Sequence, residues 1–279
     1  MGTNGAFGGS GAATWDRVRD EWTAVSDTGR TSGTGTSSDD VSQNAVEPDA
    51  RFDSLASAIA QALTREDPDA RAASVPVFTF SATLPRRGGG RGGGSAASAA
   101  NGGASAGNRR ITAQAARGGN AIGAASAYRD RDANALAGYG LTLAELDALS
   151  PRMRCARILD VAIGQAGHPD EQAMRQASLE QIKALLAGPE APLLTGLQAI
   201  RNFIGELIVR LGLNELRDQI VAKTVNAKQA HRLESGLRQW VRAKVSRLDV
   251  GQYGTVSTRE FHQVARQMSA DVLRLLRGE

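Results

Sequence analysis

The chain has 279 residues, 41% hydrophobic but only 4% aromatic, with 32 glycines, one cysteine and a formal net charge of +4. One cysteine excludes an internal disulfide and, with only three scattered histidines, a cysteine-based zinc site. No run of about eighteen apolar residues is present to span a bilayer, and the start lacks the basic and apolar regions of a secretory signal, so a reducing cytoplasm is expected.

Most glycines lie before Tyr139, whereas apolar periodicity lies almost entirely after it. This predicts an all-α protein, a C-terminal multi-helix bundle over residues 138–279 preceded by a long Gly/Ser/Ala-rich, largely disordered half with short helices. Charge is divided as unevenly. Residues 1–69 are 7 negative, residues 70–140 are 7 positive and the remainder is 4 positive. That asymmetry fits partner binding, or a head folding back on the middle of the chain.

Residues 1–13 read as a flexible leash. Gly2 is small enough for an aminopeptidase to remove Met1, which would leave a free glycine amine. N-myristoylation is not expected, because Ala6 stands where that pattern needs Ser or Thr. Residues 14–69 form an acidic segment with two short helices. The first, over 14–25, is capped by Thr14 and carries Trp15, Val18, Trp22 and Val25 on one stripe. Its two tryptophans make it a docking element, for the chain's own bundle or for a partner. The second, over 49–65, carries Phe52, Leu55, Ile59 and Leu63.

Residues 70–137 read as a basic, Gly/Ala-rich linker. Within it, 74–84 is the one strand-like run, with Val75, Val77 and Phe78 or Phe80 as anchors, and Pro76 demotes it to an edge strand or extended tether. It would add to a partner's sheet or lie along the chain's own helices. The Arg-Gly stretch over 85–107 bears Arg86, Arg87 and Arg91 without interleaved aromatics, a flexible linker more than an RNA-binding segment. Residues 109–137 are Ala-rich and broken by Gly118 and Gly119, which gives one or two helices with a thin apolar face.

The bundle opens with a short helix from Thr142 or Leu143, then one with Pro151 in its first turn and Met153, Ile158, Leu159 and Ala162 facing inward. His168-Pro169-Asp170 starts the next, with Met174, Ala177, Ile182 and Leu185 or Leu186 inward. The central helix spans 193–213. There Leu193, Leu197, Ile200, Ile204, Leu207, Ile208 and Leu211 recur at three- and four-residue steps, and Leu194 and Phe203 widen the stripe. Asn214 is expected to cap a following helix that reaches Leu248 and bends near Thr224 to Asn226. On its outer face Lys228, His231, Arg232, Arg238 and Arg242 fall within an arc of about 120 degrees. The stripe reads as a solvated surface or as a contact for nucleic acid or an acidic partner. Thr255 or Ser257 caps a last helix with Phe261, Val264, Met268, Val272 and Leu275 or Leu276.

Catalysis requires a nucleophile with a base, paired carboxylates or a metal cluster. His168, His231 and His262 are far apart in sequence. Cys155 has Arg154 and Arg157 nearby to lower its pKa but no histidine partner, so a small buried helix residue is its expected role. Neither catalytic residues nor a metal site nor a cofactor is expected, and the chain reads as a substrate, adaptor or scaffold.

Three stretches carry a family resemblance: the start Met1-Gly2-Thr3 with its glycine-rich leash and Phe7, the run GYGLTLAELDALSP followed by ILDVAIGQAGHPDEQAMRQA, and the run ELIVRLGLNELRDQIVAKTVNAKQAHRLESGLRQWVRAKV. Over the first ten residues and from Gly138 onward the chain resembles the QatB family, the small helical component of the four-gene Qat anti-phage defence systems of bacteria. The resemblance implies a non-enzymatic subunit that works beside a QatA-like ATPase, the QueC-like QatC and the TatD-like nuclease QatD, with no membrane role. QueC-like enzymes activate a deazapurine carboxylate by adenylation, so it further implies Gly2 as an amine acceptor, carried on the long N-terminal half while the bundle docks on the ATPase. Trp15, Trp22, Val75, Val77, Phe78 and Phe80 are the partner-binding candidates. The alternative is a nucleic-acid-binding adaptor that uses Arg86, Arg87, Arg91, Lys228, Arg232, Arg238 and Arg242.

Overall fold

The computed structural model describes residues 13–31, 51–64, 106–187, 194–222 and 227–279. Among these the chain is all-α, with ten α-helices, two 3₁₀ turns and no strand. The helices are α1 (Ala13–Thr31), α2 (Arg51–Thr64), α3 (Ala106–Arg129), α4 (Ala133–Gly138), α5 (Leu143–Asp147), α6 (Pro151–Ala162), α7 (Pro169–Leu185), α8 (Gly196–Ala222), α9 (Ala227–Ser246) and α10 (Phe261–Arg277).

Local chemistry sets several of the starts. Ser150 and His168 accept from Met153 N and Asp170 N, and each precedes a proline that opens its helix. Thr142 caps α5. At the head of α8, Thr195 Oγ1 accepts from Gln198 N at 3.2 Å while Gln198 Oε1 accepts from Thr195 N at 3.0 Å. This reciprocal capping box fixes the start later than the apolar spacing alone would put it. Gly278, in the left-handed region at φ 81°, closes α10.

Helix α8 is the centre, as the apolar spacing requires. Its residues from Phe203 to Val209 are all buried, including Gly205 and Glu206, and α7, α9, α10, α3 and α2 surround it. It does not end at Asn214. The helix runs on to Ala222, and the Asn214 amide donates to Pro169 O at 3.3 Å. The expected bend at Thr224 to Asn226 lies outside the described residues.

A second departure concerns α3. The glycines do not break it, and the helical body has no boundary at Tyr139. Helix α3 is continuous for 24 residues, packs against α10, α7, α8 and α6, and buries every residue from Ala121 to Tyr128. Its apolar mass is small, but its small side chains let other helices approach its backbone. A Cβ on Gly118 would collide with the Phe203 ring, and one on Gly119 would lie 2.7 Å from both Ala265 Cβ and Phe261 O. Helices α1 and α2 join the same core through Val18, Trp22, Val25, Leu55, Ile59 and Leu63. Met153, expected inward, is 56% exposed because at 100 degrees per residue it falls on the helix face opposite Cys155, Ile158 and Leu159.

Arginines tie the helices together. Arg117 of α3 donates to Glu171 Oε1 at 2.8 Å and to Ile163 O at 2.7 Å, which joins α6 to α7. Arg110 pairs with the buried Asp170. Arg201 of α8 donates to Ser246 O and Leu248 O, the last carbonyls around the end of α9. Behind α3, Asp147 accepts from Tyr128 at 2.7 Å and from both terminal nitrogens of Arg131, each at 2.7 Å, while Arg154 lies 4.8 Å over the Tyr128 ring.

That cluster has a pH signature. The hydrogen bond from Arg131, then that from Tyr128, holds the Asp147 carboxyl well below its ordinary value of 3.8. A carboxyl with a depressed folded pKa adds stability above its unfolded pKa and loses it as pH falls. The protein is therefore expected to lose stability below about pH 4, and an Asp147→Asn variant to lose less over the same interval. Urea midpoints measured from pH 6 down to pH 3 test this, and parallel curves for the two proteins would refute it.

Candidate functional site

Of the sequence-derived candidates, Arg238 and Arg242 meet at one place, a shallow cleft between α8 and α9. Val209, Val241 and Val245 give it apolar walls, with Asn202, Gly205 and Glu206 along α8. The Glu206 side chain is only 5% exposed, and three guanidinium groups surround it. Arg238 donates from Nη1 to Glu206 Oε1 at 2.9 Å. Arg210, one turn along α8, brings Nε to 2.8 Å from the same oxygen, an ion pair without the alignment of a hydrogen bond. Arg242 Nη2 lies 4.0 Å from Glu206 Oε2 and its side chain is 68% exposed. Arg210 also reaches α7, where it donates to Gln176 Oε1 at 2.6 Å and Glu180 Oε1 at 2.5 Å.

Burial pushes the Glu206 carboxyl above its ordinary pKa. Arg238, Arg210 and Arg242 oppose the shift, and Glu180 adds to it. The cluster joins α7, α8 and α9 through one desolvated charge, and it has no nucleophile beside a base. The stripe on α9 is thus divided: Arg238 turns toward Glu206, while His231, Arg232 and Arg242 are exposed. Lys228 lies on the first turn of α9.

Trp22 is 5% exposed within the core, and Trp15 packs half-buried against it, on a helix that contacts α2 and α9. Trp22 therefore anchors α1 to the chain's own body. Gly2, Val75, Val77, Phe78, Phe80, Arg86, Arg87 and Arg91 lie outside the described residues. Burial pushes the Cys155 thiol up despite Lys183 and Arg154, so the arginine neighbours do not activate it. His168 caps α7, His231 is exposed on α9, and a ring nitrogen of His262 contacts Arg259 O at 3.0 Å. Among the described residues, no three His, Cys, Asp or Glu side chains are grouped to hold a metal, and no helix is long and apolar enough to cross a membrane.

The sequence reading missed Glu206 and Asp170, the buried acids that organise these ties. One signal was available for Glu206: it is the acid within the most apolar stretch of α8, four residues before Arg210.

The fold defines an all-helical body built around a buried central helix, with arginine–carboxylate pairs joining its layers. A family model described as "Qat anti-phage system associated protein QatB" matches residues 102–249, more than half of the chain. The chain belongs to the QatB family, and it is a component of anti-phage defence. The matched segment begins earlier than the expected resemblance, takes in α3, and stops before α10. No curated protein and no solved structure matches the chain.

Proposed function

We infer that this protein is a non-enzymatic member of a Qat system, which docks on a QatA-like ATPase through its helical body and presents Gly2 to a QueC-like QatC. The family match over residues 102–249 carries this reading. The start Met1-Gly2-Thr3 adds the chemistry. A terminal glycine amine titrates near 7.7–8.0, well below a lysine at about 10.4, so roughly a tenth to a sixth of it is the free nucleophile at pH 7, against well under about a thousandth of a lysine.

QatC would present a deazapurine carboxylate as its acyl adenylate. The Gly2 nitrogen attacks the acyl carbon, the carbon–oxygen bond to AMP breaks, and the nitrogen loses a proton as the amide forms. The product is a protein with a deazapurine-type amide at its terminus. TatD-like QatD would work alongside as the nuclease.

Intact mass of the protein expressed alone and together with QatC, followed by fragmentation of the N-terminal peptide, tests the proposal. An added mass confined to Gly2 of the co-expressed sample is expected. An unmodified terminus beside a QatC of demonstrated adenylating activity would refute the acceptor role.

A further inference from the structure

Helix α1 divides the N-terminal half of the chain in two. Val18, Trp22 and Val25 recur at four- and three-residue steps along it, and all three are at least nine-tenths buried in the common core. Trp15, the third residue of the helix, packs against the same core, so the hold extends almost to the first turn. Arg17 adds a tie by donating to Gln61 Oε1 of α2 at 2.9 Å. With α1 seated on α2 and α9, the chain before it and the chain after it cannot pool their lengths.

Covalent geometry then limits where Gly2 can be. Eleven residues lead from Gly2 to Ala13, the first residue of α1. At about 3.3–3.6 Å per residue, even a fully extended chain reaches no more than about 36–40 Å from that point. Were α1 not seated, the next hold would be Arg51 at the start of α2, 49 residues from Gly2 and about four times as far. Residues 32–50 and 65–105 follow anchored helices and add nothing to the reach of Gly2. Part of the eleven is also taken up inside the enzyme, because an acyl adenylate has to be shielded from water and the attacking amine has to enter that shielded site.

We propose that α1 is the positioning element for the acceptor amine, and that the acylating enzyme seats directly on the helical body with the mouth of its site within about 40 Å of Ala13. This positioning rests on the acceptor role proposed above and narrows it. The enzyme holds the folded body and the N-terminal tail at once, and its grip on the body is what brings the amine to the adenylate. The span from Thr3 to Ala12 acts through its length and not through the order of its residues.

Transfer by the purified QueC-like partner, supplied with ATP and the deazapurine carboxylate and followed by intact mass, tests the proposal. Removing residues 5–10 leaves a reach of about 18 Å at most and is expected to slow the added mass at least about tenfold. Six Gly/Ser residues restored at that place are expected to recover the wild-type rate, which a lost recognition sequence would not allow. Removing residues 88–105 is expected to change nothing. A free peptide of residues 2–13 is expected to be acylated at least about tenfold more slowly than the tail of the whole protein at the same micromolar concentration, because docking of the body makes capture of the tail intramolecular. A wild-type rate without residues 5–10, a loss that Gly/Ser does not restore, slowing on removal of residues 88–105, or equal rates for peptide and protein would each overturn the proposal and leave Gly2 as the acceptor. A wild-type tail that never gains mass would remove the acceptor role itself, and the positioning with it.

Discussion

Gly118→Ala is expected to destabilise the protein by about 1–3 kcal/mol, although alanine is the better helix former by about 1 kcal/mol. The added methyl would overlap the ring of Phe203, which is fully buried on α8 and cannot swing aside into solvent. Phe203→Ala is expected to cost about 3–5 kcal/mol by opening a cavity at the centre. The two changes are not additive. With the ring removed, the methyl introduced by Gly118→Ala enters vacated space, and the helix propensity of alanine acts unopposed. The double variant is expected to be more stable than the sum of the single effects by about 0.5–3 kcal/mol, with Gly118→Ala neutral or stabilising in the Phe203→Ala background. Urea midpoints at unchanged slope measure all four corners of the cycle. Simple additivity would mean that α3 and α8 are not held at this distance in solution.

The same contact explains which helices could be read from sequence. Helix α8 announces itself because large aliphatic residues recur along it, and hydropathy weighs side-chain mass. Helix α3 contributes to the core by the reverse device. Its alanines and glycines carry little apolar area of their own, but they admit the Phe203 ring and the backbone of α10 to van der Waals contact. Nothing in a one-dimensional pattern separates such a helix from a low-complexity linker, since the difference lies in what approaches it. Asn214 misled for a related reason. It is a good cap residue, but its amide instead meets Pro169 O on α7 and the helix continues.

The candidate site was legible only in half. Arg238 and Arg242 stand out because they share a helix face with other cations. The carboxylate that organises them lies 32 positions before Arg238, and a reading by helix faces treats such a stripe as uniform. Folding makes it unequal, with one guanidinium fixed by a desolvated Glu206 and another 68% exposed. Trp22 shows the same limit from the other direction. Scarce aromatics invite a partner-binding interpretation, but a core with so few large side chains also needs its tryptophan, and here Trp22 is 5% exposed within it.

A chain ended at residue 249, where the family match ends, is expected not to fold. The lost segment contains α10, whose Phe261, Val264, Met268, Val272, Leu273 and Leu276 are all at least nine-tenths buried. At roughly 1.5–3 kcal/mol for each buried large apolar side chain, those six represent an upper figure of about 9–18 kcal/mol. A whole domain is stable by only about 5–15 kcal/mol. The loss is also poorly tolerated in shape, because α3 offers α10 a surface of small residues that no other helix among the described residues is placed to cover. Gly119 meets the backbone of α10 directly, and Gly196 on α8 faces the Phe261 ring. Two polar ties go as well: Tyr139 donates to Thr258 O at 2.5 Å, and burial has pushed its hydroxyl pKa up to about 12, while Tyr253 donates to Asp271 at 2.7 Å. Circular dichroism of the shortened chain should show reduced helix content and no cooperative thermal transition, beside a sharp transition for the full chain. A cooperative transition within a few degrees of the full chain would mean that residues up to 249 form a complete core and that α10 is an accessory laid upon it.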